Sequence, residues 1–121
     1  MTGRKLRILV VDDDRAVRES LKFALELEGM TVETRASGRD LLSQPPDADC
    51  LVLDYKMPAM DGLAVMAALG QHHVHIPTIL ITAPVTAEMA KQARRAGAFS
   101  ILEKPLRDGV LLENIRRATA T

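Results

Sequence analysis

Cysteine and aromatic side chains are nearly missing from this sequence. Its 121 residues hold one Cys, one Tyr, two Phe and no Trp. A lone cysteine, Cys50, cannot form an internal disulfide, which suits a reducing compartment. Phe23, Tyr55 and Phe99 are too few and too scattered to build a stacking platform for single-stranded nucleic acid. Neither sign of charge is in excess: 16 Lys and Arg balance 16 Asp and Glu. Sequence-independent binding of nucleic acid needs a basic surplus, so this chain is not expected to bind it directly. No apolar run approaches the length of a membrane span. Arg4, Lys5 and Arg7 precede only the short stretch Ile8 to Val11, and three aspartates follow at once. That pattern is too short for a secretory leader. The expected location is the cytoplasm, away from membranes.

What is present is ordinary globular material. Hydrophobic residues make up 47% and charged residues 26% of the chain. Such a length and composition suit one domain over residues 1–121 with its own core. Short continuous apolar runs stand at Ile8–Val11, Leu51–Leu53 and Thr78–Ile81, with weaker ones at Thr31–Thr34 and Phe99–Leu102. Continuous rather than alternating runs suit strands buried on both faces, as in a parallel sheet.

Helical spacing fills the intervals. Val17, Leu21, Ala24 and Leu25 share a face that Gly29 closes. Ser37 and Asp40 form a capping signature before Leu41 and Leu42. Leu63, Met66 and Leu69 make a stripe ended by Gly70, and Met89, Ala93 and Ala96 make one ended by Gly97. Leu111, Ile115 and Ala118 make the last, with Asp108 as its expected N-cap. Pro45 and Pro46 read as a loop. Five strands alternating with five helices predict a doubly wound α/β domain, with strand order 2-1-3-4-5 as the natural choice.

In such a sheet, ligands bind beyond the carboxyl ends of the strands. The first strand ends in Asp12, Asp13 and Asp14, the third in Asp54, the fourth in Thr82 and the fifth in Lys104 and Pro105. An aspartate at a strand end is often only a cap or turn residue, and Asp14 reads as one. The others are chemically complementary. Clustered carboxylates repel unless a cation neutralises them. Mg²⁺ prefers one or two carboxylates with water and phosphate oxygens. A lysine and a hydroxyl beside them complete a receptor for a phosphoryl group, and an aspartate there can be its nucleophile.

These segments resemble the receiver domains of two-component response regulators, in detail those of FixJ-type transcriptional regulators. The resemblance rests on Ile8-Leu-Val-Val-Asp-Asp-Asp14, Leu51-Val-Leu-Asp-Tyr-Lys-Met-Pro-Ala-Met-Asp-Gly62, Ile79-Leu-Ile-Thr-Ala83, Ala96-Gly-Ala98 and Glu103-Lys-Pro105. It implies a CheY-like, flavodoxin-like fold and a phosphorelay role controlling transcription. It implies Asp54 as phosphoacceptor, Asp13 as acidic Mg²⁺ ligand and Asp12 as its partner acting largely through water. The Lys56 backbone carbonyl would be a further metal ligand, Thr82 the switch hydroxyl and Lys104 the lysine that pairs with the phosphoryl group. The Lys104–Pro105 bond would be cis. The implied partners are a histidine kinase or phosphotransfer protein, and a second copy through the fourth helix, fifth strand and fifth helix. The chain would be a signalling domain rather than an enzyme, and no output domain is read in it.

The sequence departs from the family pattern at two positions near the lysine. Tyr or Phe is usual three residues before it, and here Ile101 stands there; Leu106 follows the Lys-Pro pair, where Phe is frequent. Ile101 cannot swing inward as the aromatic does to report phosphorylation. Lys56 and Pro84 occupy positions that tune autodephosphorylation in the family, and Pro84 lacks an N–H, so an altered switching loop is expected.

Two other classes stay open. One is a phosphorylation-independent interaction module, which Ile101 and Pro84 motivate. The other is an aspartate-nucleophile phosphatase, disfavoured because Lys56 stands where a second acid is needed. A nucleotide enzyme is disfavoured for want of a Gly-rich phosphate loop. His72, His73 and His75 are read as a surface loop before a metal cluster. Cys50 is read as a small core residue and Arg94, Arg95, Arg116 and Arg117 as solvated helix faces, available to a second subunit.

Overall fold

A computed structural model describes residues 5–44, 46–107 and 109–120. The strands are β1 (Arg7–Val11), β2 (Thr31–Arg35), β3 (Cys50–Asp54), β4 (Thr78–Thr82) and β5 (Ser100–Glu103). The helices are α1 (Arg15–Leu27), α2 (Gly38–Leu42), α3 (Gly62–Gln71), α4 (Ala87–Arg95) and α5 (Val110–Thr119). All strand pairs are parallel, in the order β2-β1-β3-β4-β5. The alternation expected from the sequence is present, element by element, but the fifth run is displaced: Phe99 precedes β5 and is exposed, and Glu103 ends the strand instead.

The unbroken apolar runs have a simple cause. Successive strand residues point to opposite faces, and both faces here are covered. Ile8, Val10, Cys50, Val52, Ile79 and Ile81 pack with Leu25 of α1 and with Leu111 and Ile115 of α5. Their neighbours Leu9, Val11, Leu51, Leu53 and Leu80 pack with Leu41 of α2, Val65 and Leu69 of α3 and Ala93 of α4. Residues 8–11, 50–53 and 79–81 are all essentially out of solvent. Burying each such side chain is worth about 1.5–3 kcal/mol, which makes the three central strands the rigid base of the molecule.

Local signals explain the helix ends. Asp14 caps α1 by accepting from the N–H groups of Ala16 and Val17. Gly29 follows at φ 88°, and Gly97 follows α4 at φ 92°, conformations a side chain resists. Ser37 caps α2 through the Asp40 N–H, while Asp40 reaches back to Ala36 rather than to Ser37. The expected cap Asp108 lies outside the described residues; Gly109, at φ 82°, stands at the N-cap of α5.

Several expectations need correction. Gly70 does not end α3, which continues through Gln71 and turns at His72 and His73, the latter at φ 59°. The buried face of α3 is Gly62, Val65 and Leu69, with Leu63 and Met66 only flanking it. Ala96 and Ala24 are exposed, because Ala96 caps α4 and Ala24 turns off the buried side of α1. β3 includes Asp54, so the aspartate ends the strand from inside it.

Candidate functional site

The parallel register sets the site. Val11 pairs with Leu53, which puts Asp12 level with Asp54 on adjacent strands. Thr82 closes β4 and pairs with Glu103, so Lys104 follows at the same height. The Lys104 N–H donates to the Thr82 carbonyl at 2.7 Å, fixing the end of β5 against β4. Four strand ends thus deliver their polar residues to one rim.

Asp12 is fully buried, and Asp54 and Thr82 are nearly so. Asp13 is exposed at the mouth. One carboxylate oxygen from each of Asp12, Asp13 and Asp54 lies within 4.8 Å of the others. Lys104 Nζ donates to Asp12 Oδ2 at 3.2 Å and to Asp54 Oδ1 at 3.4 Å. The other Asp12 oxygen accepts from the Asp14 N–H at 2.9 Å, and Arg18 holds the Asp12 carbonyl at 2.8 Å.

The electrostatics are unbalanced toward negative charge. Burial and the neighbouring Asp12 push the Asp54 carboxyl up to about 6, against the opposing pull of Lys104 and the Lys56 N–H. Burial alone would lower Lys104, but its bonds to Asp12 and Asp54 hold its ammonium above the ordinary lysine range. The Thr82 hydroxyl oxygen is buried without a hydrogen-bond partner. A cluster short of positive charge beside an orphaned hydroxyl has the donor set of a hard divalent cation and a phosphoryl oxygen.

The loops around the rim are tied across it. Gly62 sits where any Cβ would lie 2.9 Å from the Asp54 carbonyl oxygen and 2.9 Å from Leu80 Cδ2. Its N–H donates to the Tyr55 carbonyl at 2.8 Å. The side chain of Lys56 spans to the Ala83 carbonyl at 3.1 Å, and the Tyr55 hydroxyl to Gln92 Oε1 on α4 at 3.2 Å. Neither cross-rim contact had a signal in the sequence, because each joins segments far apart in the chain.

The remaining sequence-derived residues fall as follows. The Lys104–Pro105 bond is cis, as expected, and the Ala83–Pro84 bond is cis as well, which nothing in the sequence announced. Ile101 is partly buried and packs on the α2–α4 side of the sheet. Leu106 packs on the α1–α5 side. His72, His73 and His75 are exposed and form no three-residue ligand group among the described residues. Arg94, Arg95, Arg116 and Arg117 are exposed in the last turns of their helices, where a positive charge suits the helix dipole. No helix among the described residues is long and apolar enough to cross a membrane.

Comparison with known proteins agrees with this geometry. The family profile described as response regulator receiver domain matches residues 8–116. The transcriptional regulatory protein FixJ of Rhizobium meliloti is 39% identical over 112 residues, covering 91% of this chain and 55% of that protein. The C4-dicarboxylate transport transcriptional regulatory protein DctD of Pseudomonas aeruginosa is 37% identical over 114 residues, 93% of this chain and 25% of its own length. The chain therefore spans about half, or less, of these relatives. The crystal structure of FixJ-N superposes with a TM-score of 0.87 at 36% identity, covering 97% of this chain and 95% of that one.

Proposed function

This chain belongs to the response regulator receiver domain family, and from that premise we propose that Asp54 is its phosphoacceptor in a two-component relay that controls transcription. The observation that carries the reading is the buried Asp54 carboxylate, with Lys104 Nζ at 3.4 Å and oxygens of Asp12 and Asp13 within 4.8 Å.

A histidine kinase or phosphotransfer protein would present a phosphohistidine. An Asp54 carboxylate oxygen attacks the phosphorus, the P–N bond breaks with its electron pair going to nitrogen, and the phosphohistidine, protonated on its other ring nitrogen, leaves as neutral imidazole. Asp12, Asp13, Asp54 and the Lys56 backbone carbonyl would hold Mg²⁺, which supplies charge neutralisation for the transferred group. Lys104 shifts its ammonium toward the new phosphoryl oxygens, and the Thr82 hydroxyl donates to one of them. Phosphoryl transfer asks mainly for positioning and charge compensation of this kind. Water then resets the acyl phosphate. The domain would work as a switch rather than as an enzyme on other substrates, in the cytoplasm. A second copy would meet the phosphorylated form across α4, β5 and α5. By population shift, the phosphoryl group must bind the active arrangement better than the inactive one.

The test is intact-mass measurement after incubation with acetyl phosphate, with and without Mg²⁺, beside Asp54→Asn. One Mg²⁺-dependent adduct that the Asn protein lacks is expected. A folded protein that gains no adduct, with phosphoramidate also tried, points instead to an interaction module that works without phosphorylation.

A further inference from the structure

We propose that the Lys56 side chain is a switch strap: it ties the β4–α4 loop across the rim by its bond to the Ala83 carbonyl, and transfers to the phosphoryl group when Asp54 is phosphorylated. The inference rests on the phosphoacceptor reading of Asp54 and adds a positioning residue to it.

The loop from Ala83 to Val85 is poorly fastened by anything else. Pro84 has no N–H to donate. Among the described residues, no hydrogen bond other than that from Lys56 Nζ, at 3.1 Å, reaches Ala83, Pro84 or Val85. Ala83 and Pro84 are exposed, and neither they nor the half-buried Val85 belong to the two packed cores. Thr82, immediately before this loop, is buried with its hydroxyl unpartnered, so the strand end is ready to rearrange.

Lys56 also stands close to the acceptor. It follows Asp54 by two residues in the loop after β3, so a group attached to Asp54 comes within the swing of its flexible four-carbon stem. The ammonium then has two possible partners. A carbonyl oxygen is neutral, whereas a phosphoryl group carries close to two negative charges and makes charge-assisted bonds. Lys104, which here is shared between Asp12 and Asp54, supplies one positive charge against the two of the dianion and leaves room for a second cation. The preference of Lys56 for the dianion is the differential affinity a switch requires. The adjacent Tyr55 hydroxyl, bonded to Gln92 of α4, extends the same segment to the helix beyond the loop. The reporting aromatic usual at position 101 is replaced by Ile101, and this segment gives the acceptor strand another polar route to α4.

Amide hydrogen exchange at Met89 and Ala90, whose N–H groups are bonded to Thr86 at the far end of this loop, tests the strap, in wild type, Lys56→Met and Lys56→Arg, each without and with acetyl phosphate and Mg²⁺. Before phosphorylation, Lys56→Met should exchange about two- to fivefold faster than wild type there, the shift expected for an exposed, screened contact, and Lys56→Arg should restore protection. Phosphorylation should speed exchange in wild type and add little in Lys56→Met. Equal protection in unphosphorylated wild type and Lys56→Met overturns the strap, as does a full phosphorylation response in Lys56→Met. Intact mass, read on the same samples, separates the two layers: a wild type without adduct overturns the receiver reading and the transfer with it, whereas an adduct with unaltered exchange overturns the strap alone.

Discussion

The ammonium of Lys104 is bonded to the fully buried carboxylate of Asp12, with Nζ and Oδ2 3.2 Å apart. Of the three clustered acids, Asp12 is the one with no access to water, and Lys104 is the cation that reaches it. A buried charge stripped of its partner is strongly destabilising. Lys104→Ala should therefore cost about 2 kcal/mol, less than for a wholly buried pair because Lys104 itself is partly exposed. Urea unfolding at pH 7 reads this, and the loss should shrink in Lys104→Ala combined with Asp12→Asn. Additive losses in the double variant would speak against the pairing.

Asp54 should make the protein's stability fall as pH rises. Its carboxyl titrates at about 6 when folded, above the ordinary 3.8. The folded chain thus holds that proton more tightly than the unfolded one. The stabilisation is complete below pH 3.8 and is lost as pH climbs through about 6. Asp54→Asn has no charge to desolvate, so at pH 7 it should be more stable than wild type by on the order of 1–2 kcal/mol. Near pH 4 the two should unfold together. A gap of the same size at both pH values would contradict this.

Divalent cation should stabilise the fold through the acid cluster. Mg²⁺ at a hundredfold excess over its Kd raises stability by about 2.7 kcal/mol when it binds only the folded state. Asp13 is exposed, so Asp13→Asn should fold normally and lose most of that Mg²⁺-dependent rise in Tm. Calcium-free buffers with and without added Mg²⁺ give the comparison.

Gly62 should tolerate no side chain. A Cβ there would stand 2.9 Å from the Asp54 carbonyl oxygen, 2.9 Å from Leu80 Cδ2 and 3.0 Å from the Tyr55 Cα. Two of these are backbone atoms of the acceptor segment and cannot swing aside. Gly62→Ala should cost about 1–3 kcal/mol by overpacking and slow phosphoryl uptake, because relief moves Asp54 itself. Gly70→Ala, with open space around its Cβ position, serves as the control and should be neutral or slightly stabilising.

Pro84→His should change the lifetime of the phosphorylated form. It restores a backbone N–H to the loop that Lys56 straps. The decay of the adduct, followed by intact mass after removal of the donor, reads the effect; an unchanged lifetime would remove Pro84 from the switching loop.

The sheet and most of the rim could be read from the chain because their determinants are local. Buried parallel strands must be apolar on both faces, which writes them as unbroken runs such as Leu51–Leu53. The strand-end rule then assigns a place to Asp12, Asp54, Thr82 and Lys104 before any coordinates exist. Helix faces were harder where apolar residues crowd the whole helix. In α3, Leu63, Val65, Met66 and Leu69 are all apolar, and only packing shows that Val65 and Leu69 face inward. Gly70 reads as a stop because glycine commonly is one, but the turn is made by His73. The contacts of Lys56 with Ala83 and Tyr55 with Gln92 left no local trace, since they depend on how two loops meet after the strands are in register.

Cys50 is wholly enclosed in β3, and burial pushes its thiol up to about 12. A protonated, inaccessible thiol is inert to alkylating reagents and mild oxidants. The reagent reaches it only when the central strands part, so the labelling rate of this single sulfur is a clock for opening of the whole sheet. The chain carries its own chemical probe of global unfolding, independent of any event at the rim.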